Sequence, residues 1–205
     1  MANLLLVHGG LWEEGMNAGR FWRQPGIVAG LQGRGFDVLA PDRLPQAPDW
    51  TTEASYLARA IPDAPLTVLA GSNGCSAAAR LAVDFPGVVT RLLLAWPATA
   101  GDPNIDSAER AHLAGLGASP EVIDALLAGE TLRGLTDPEL AALTMPVGVL
   151  RSQPANPFHQ RHTADALLRL LPQASELPGY PEPPRPDFPA HLEFFLDAVA
   201  AFAAS

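Results

Sequence analysis

The sequence predicts an α/β protein: a three-layer sandwich in which a mainly parallel sheet of about six strands carries helices on both faces. Three observations lead there. Short apolar runs of strand length alternate with longer stretches of helical character along the whole chain. With 205 residues, 48% of them hydrophobic, the chain can fill one core and is too short to demand two. One segment, Leu66 to Arg80, passes from a buried strand through small residues straight into an alanine-rich helix. Residues 1–205 are accordingly read as a single domain.

The elements follow in order. Leu4 to Val7 is continuously apolar, as a strand covered on both faces should be. A helix is expected near Trp22 to Gln32, a strand over Asp37 to Ala40, and a helix over Thr52 to Ala60. The strand Leu66 to Ala70 feeds the helix Ser76 to Phe85, and Val89 to Ala95 forms the next strand. Ala98 to Leu143 is long for a connection and holds helical pieces at Ala108 to Leu113 and Pro120 to Leu127. It reads as a small lid inserted over the strand ends, the alternative being two helices of the main layer. Val147 to Arg151, a helix over Thr163 to Leu171, and a strand over Ala174 to Leu177 complete the sheet. Six prolines between Pro178 and Pro189 are expected to make a stiff irregular loop before a closing helix, Pro189 to Phe202. Right-handed crossovers bring all strand ends to one edge, where sites form in such sheets.

Composition excludes several classes of function. The net charge is -9 and all 13 basic residues are arginine, so no clustered basic surface suited to a phosphate backbone is expected. Cys75 is the only cysteine, which rules out an intrachain disulfide and gives no sign of an oxidising compartment. The start Met1-Ala2-Asn3 lacks the basic opening and long apolar stretch of a signal peptide, and no run nears the roughly 20 apolar residues that cross a bilayer. A cytoplasmic protein with a small-molecule substrate, no nucleic-acid partner and no membrane segment is expected.

The most informative segment is Ala70-Gly71-Ser72-Asn73-Gly74. A serine on a strained strand-to-helix turn needs tiny residues two positions before and after it, because backbone segments touch there. Ala70 and Gly74 meet that need. The following helix aims its N-terminal amides at the hydroxyl, so the Asn73 N–H can stabilise an oxyanion. The alternative is an ordinary turn whose serine caps the helix. A phosphate loop does not fit, because the G-x-x-x-x-G-K-[ST] spacing is absent. A second signal is the strand ending His8-Gly9-Gly10-Leu11-Trp12, a loop poor in side chains that can turn a backbone amide into a neighbouring site.

These two motifs resemble those of the α/β-hydrolase family, and the likeness runs over nearly the whole chain. Leu81 to Leu94 looks like the family's helix, Phe-Pro turn and next strand, Met145 to Leu150 like the strand before the catalytic acid, and Phe194 to Phe202 like the closing helix. The family's leading antiparallel hairpin is expected to be missing. The resemblance implies Gly10, with Leu11, as the other oxyanion donor and His8 as a structural member of its loop. It also implies a serine nucleophile; no cofactor and no metal are expected.

The resemblance then departs from the family pattern. After the Val147 strand the family places an aspartate, and the matching residue here is Asn156; after the last strand it places a histidine, and Tyr180 stands there. A serine nucleophile needs a base and a group to orient it. For the base, His159 and His191 are the candidates; His112 and His162 read as surface residues. His191 is placed one turn into the closing helix, behind an Asp187 cap. For the acid, Asp102, beyond the strand ending at Trp96, is the candidate, and Asp42 reads as a loop carboxylate. Trp12, Trp22, Trp96 and Phe158 are candidate pocket walls. His159 and His162 form the only close histidine pair, without further ligands at metal spacing. The function expected is hydrolysis of a small ester or thioester through Ser72. The alternative is a fold relative that has lost the regular triad and performs lyase, cyclase or isomerase chemistry or binds a small molecule.

Overall fold

Six strands form one parallel sheet in the order β2-β1-β3-β4-β5-β6 in the computed structural model, which describes residues 3–61 and 64–205. The first two residues of the opening segment read for a leader lie outside the described residues. The strands are β1 Asn3–Val7, β2 Asp37–Leu39, β3 Leu66–Gly71, β4 Val89–Ala95, β5 Val147–Ser152 and β6 Ala174–Tyr180. Apolar residues on both faces of the central strands require two covering layers, and both are present. Leu5, Val7, Val68 and Leu92 pack against α2 (Trp50–Ala58), α3 (Gly74–Asp84) and α7 (Arg161–Leu170). Leu4, Leu6, Leu69 and Leu93, one residue out of phase, pack against α1 (Ile27–Gly33) and α8 (Leu192–Ala204).

Strand order reverses direction between β1 and β3, which pair in parallel from Leu4↔Thr67 to Val7↔Ala70. A crevice opens at such a switch point beyond the carboxyl ends of the strands. The loops that leave β1 and β3 there are the ones carrying His8-Gly9-Gly10 and Ser72.

Several elements differ from the sequence expectation. The helix expected over Trp22 to Gln32 is divided into a π-helical turn, Gly19–Arg23, and α1, because Gly26 has φ 88° and breaks the run. Strand β6 extends through Pro178 to Tyr180; it is an edge strand, so a residue without an N–H costs it no ladder bond on the open side. The closing helix begins only at Leu192, after a 3-10 turn Phe188–His191, and His191 therefore caps α8 instead of lying one turn inside it.

Between β4 and β5 lie α4 (Pro103–Gly115), α5 (Pro120–Leu127) and the short α6 (Asp137–Ala141). The last is stabilised by a reciprocal capping box between Thr136 and Glu139 and was not expected from periodicity, being too short to display one. No helix among the described residues is long and apolar enough to cross a membrane.

Candidate active site

Ser72 is positioned by backbone strain that its neighbours enforce. It has φ 54°, a left-handed conformation uncommon for a residue with a Cβ, on the turn between β3 and α3. A Cβ on Gly74 would stand 2.5 Å from the His8 carbonyl oxygen and 2.6 Å from that of Val7, so the α3 start can press against β1 only as glycine. Gly9 is equally confined, its notional Cβ 2.9 Å from that of Ser72. The turn thus holds the Ser72 hydroxyl beside the Gly9-Gly10 loop.

The His159 ring meets that hydroxyl. Ser72 Oγ lies 2.8 Å from His159 Nε2, and His159 Nδ1 lies 2.8 Å from Glu182 Oε1. Because Nδ1 faces a carboxylate, it carries the proton, and Nε2 is left with a lone pair to accept the serine O–H. The His159 and Glu182 side chains are only 9% and 16% exposed. Burial by itself would raise the Glu182 pKa, but hydrogen bonds from His159, Asn156 and Ser152 and the electrostatic pull of the His159 ring outweigh it and hold the carboxyl below the ordinary glutamate value.

Asn156 shapes this arrangement from the position where the family resemblance placed an acid. Its Oδ1 accepts the backbone N–H groups of Phe158 (3.0 Å) and His159 (3.1 Å), an Asx turn that brings the His159 ring inward. Its Nδ2 donates to Glu182 Oε1 at 3.0 Å. The loop is tied down further where Thr99 N–H donates to the Phe158 carbonyl at 2.8 Å and Gln160 N–H to Thr99 Oγ1 at 3.0 Å.

The loop opposite Ser72 is held by a buried arginine. Arg43 Nη1 donates to the carbonyl oxygens of Gly10 (2.7 Å) and His8 (3.0 Å), while Nε and Nη2 take both oxygens of the buried Glu53 carboxylate. His8 accepts the Arg43 backbone N–H at Nε2 (3.0 Å) and donates from Nδ1 to Gly9 O (2.8 Å). Burial, with the adjacent Arg43 charge, pushes its pKa down to about 4, so His8 is neutral and structural. Gly10, with φ 85°, lies with Leu11 and Asn73 on the wall of a cleft of about 650 Å³ that contains Ser72 and His159.

Other sequence candidates fall elsewhere. Asp102 caps α4, accepting from the amides of Asn104 (2.9 Å) and Ile105 (3.2 Å), and its second oxygen accepts from Gln160. No hydrogen bond joins it to His159, whose ring is taken by Glu182 and Asn156. His191 packs beside the Tyr180 ring at 6.2 Å, away from the residues that line the Ser72 cleft. Asp42 accepts the Ala18 N–H at 2.8 Å. Trp12 turns into a neighbouring cleft and donates to the Ala47 carbonyl at 2.9 Å. Trp22 and Trp96 are fully buried in an aromatic cluster with Phe21, Phe188 and Phe195, so they are core and not cleft wall. Phe158 does line the cleft, as does His112 from α4.

Glu182 was not singled out from the sequence. The usable signal was its place on the strand-end edge, two residues beyond Tyr180, the end of β6 and the position at which the family resemblance called for the histidine. Arg133, also on the cleft wall, sits in a stretch without periodicity and carried no signal at all. Among the described residues no group of three or more His, Cys, Asp or Glu side chains is arranged to hold a metal ion.

No protein-family model and no curated protein sequence matches this chain. Solved structures do. Rv0554 of Mycobacterium tuberculosis aligns at TM-score 0.73 and 16% identity over 99% of this chain and 90% of its own. An esterase from Exiguobacterium antarcticum aligns at 0.70 and 14% identity, over 100% and 92% of the two chains. The meta-cleavage product hydrolase of Pseudomonas fluorescens aligns at 0.69 and 15%, over 98% and 90%. With its parallel sheet, switch-point crevice and strained strand-to-helix serine, this chain has the α/β-hydrolase fold.

Proposed function

We propose that the protein is a serine hydrolase acting on a small carboxylic ester or thioester, with a triad of Ser72, His159 and Glu182. The observation that carries this reading is the unbroken chain of two 2.8 Å contacts, Ser72 to His159 and His159 to Glu182, opening on a cleft. His159 Nε2 takes the serine proton as Oγ attacks the substrate carbonyl, and Glu182 stabilises the imidazolium that results. The amides of Gly10 and Asn73 stabilise the tetrahedral oxyanion, with Arg43 fixing the Gly10 loop through its carbonyl oxygens. The imidazolium then protonates the leaving alcohol or thiol, and water repeats the cycle on the acyl-enzyme.

The order of these residues along the chain is nucleophile, base, acid. In α/β-hydrolases the usual order is nucleophile, acid, base. Here the two loops after β5 and β6 have exchanged roles: the first carries the histidine and the second the carboxylate. The exchange accounts for the residues that the family pattern did not supply, and it speaks against the reading of a chain that has lost its triad.

Residues 98–143 act in this reading as a lid over a single domain, supported by the contribution of Ile105, Glu109 and His112 of α4 to the cleft wall. Among the solved structures of this fold are an esterase of Rhodococcus and a thioesterase domain of the curacin biosynthetic pathway, in keeping with an ester or thioester substrate. Labelling with a fluorophosphonate and locating the adduct by mass spectrometry tests the proposal. The adduct is expected on Ser72, absent in Ser72→Ala, lost in His159→Ala and retained in His191→Ala. A folded wild-type protein that takes no label would overturn it.

A further inference from the structure

Among the described residues two arginines are deeply buried, Arg43 and Arg133, and they differ in how well they are satisfied. Arg43 makes four hydrogen bonds that engage all three of its guanidinium nitrogens. Arg133, in the connection between α5 and α6, has a side chain only 1% exposed, yet it has one monodentate contact to a carboxylate, Nη2 to Asp106 Oδ1 at 3.2 Å. Its Nη1 donates to Asn73 Oδ1 at 3.0 Å, and its Nε has no acceptor among the described residues. A guanidinium offers five N–H donors, and a buried cation left short of partners is unfavourable.

Arg133 forms part of the wall of the Ser72 cleft. Its one carboxylate partner, Asp106, stands on α4 with a side chain 28% exposed, so it is already in contact with water. The other charges on the cleft are one arginine and three glutamates. Arg20 pairs with Glu13 at 3.6 Å, while Glu182, hydrogen-bonded by a neutral His159, and Glu109 of α4 each leave one negative charge, so Arg133 is the cleft's cation without a close-fitting carboxylate. Asn73, which directly follows Ser72, touches Arg133 with its side chain, so the attacked carbonyl and the guanidinium are separated by a short spacer.

Resting on the hydrolase reading, we infer that the substrate carries a carboxylate, and that Arg133 binds it by replacing or joining Asp106. The ligand class is the half-ester or half-thioester of a short dicarboxylic acid. Asp106 acts as the resident stand-in for that carboxylate when the cleft is empty of substrate.

Calorimetric titration of the full-length Ser72→Ala protein with monomethyl glutarate and with methyl butyrate tests the site without turnover. The half-ester should bind at least about 10-fold more tightly than the neutral ester. Adding Arg133→Gln should erase that preference, and Asp106→Asn, which removes the competing carboxylate, should strengthen half-ester binding several-fold. If Arg133→Gln does not fold, the Asp106→Asn result decides. Equal affinity for the two esters, or no effect of either substitution, overturns the inference. Inorganic phosphate competing as well as the half-ester also overturns it, by marking a general anion pocket. Turnover of mono-p-nitrophenyl glutarate and p-nitrophenyl butyrate by the wild type separates the two claims. Equal kcat/KM on both removes the carboxylate site and leaves the hydrolase. Half-ester binding that responds to Arg133 and Asp106, without turnover or Ser72 labelling, keeps the site and removes the hydrolase.

Discussion

Replacing Glu182 by glutamine keeps the size and one acceptor oxygen beside His159 while removing the charge. The contact of 2.8 Å between Glu182 Oε1 and His159 Nδ1 places the centres of carboxylate and imidazolium roughly 4 Å apart. At an effective dielectric constant of about 20 the attraction gained when His159 takes the serine proton is about 4 kcal/mol. At 1.36 kcal/mol per decade, that stabilisation is worth about a thousandfold in rate. Glu182→Gln is therefore expected to lower kcat by about 10³-fold with KM little changed, since the charge is felt only once imidazolium forms. Asp102→Asn should stay within about 3-fold of wild type, because asparagine caps a helix as well as aspartate does. Initial rates on p-nitrophenyl butyrate, together with fluorophosphonate labelling rates and a thermal melt to verify folding, measure both. A Glu182→Gln protein that is folded and keeps more than about a tenth of wild-type kcat would refute the assignment of the acid. So would an Asp102→Asn protein that shows the large loss instead.

Three further outcomes follow from the same geometry. Glu53→Gln strips the buried Arg43 of its carboxylate and should destabilise the fold by about 3–5 kcal/mol in urea denaturation, whereas a surface carboxylate such as Glu193 should be nearly silent. Gly74→Ala drives a Cβ to within 2.5 Å of a backbone oxygen, so stability should fall by about 1–3 kcal/mol and Ser72 labelling should slow with it. His8, whose pKa is lowered from 6.5 to about 4 by burial and the Arg43 charge, takes up its proton first in the unfolded chain. Its contribution is full above pH 6.5 and is lost as pH falls toward 4, by about 3 kcal/mol at most, so urea midpoints of the wild type should drop over that window more steeply than those of His8→Asn. Parallel curves for the two proteins would show that His8 does not drive the loss.

The layer architecture and the strained serine were legible because they are local. Leu4 to Val7 is apolar on every residue and Leu66 to Ala70 on all but Thr67, so strands covered on both faces were already implied, and Ala70, Ser72 and Gly74 declare a close backbone approach by their lack of bulk. Helix α6 and the break at Gly26 were not legible, since a five-residue helix is too short for periodicity and a glycine in a helical pattern does not announce its φ. His159 was readable as a candidate from its place past β5. Its partner was not, because Glu182 lies in a proline-rich stretch that obeys no period and is brought to His159 only when β6 pairs with β5. Arg133 meets Asn73 across 60 positions of chain, Arg43 meets Gly10 across 33, and His159 meets Ser72 across 87. A sequence encodes which residues are small, apolar or chargeable; which of them share a hydrogen bond depends on strand order and register. The single sheet, with its reversal between β1 and β3, decided that a histidine from one loop and a carboxylate from the next would stand behind the serine.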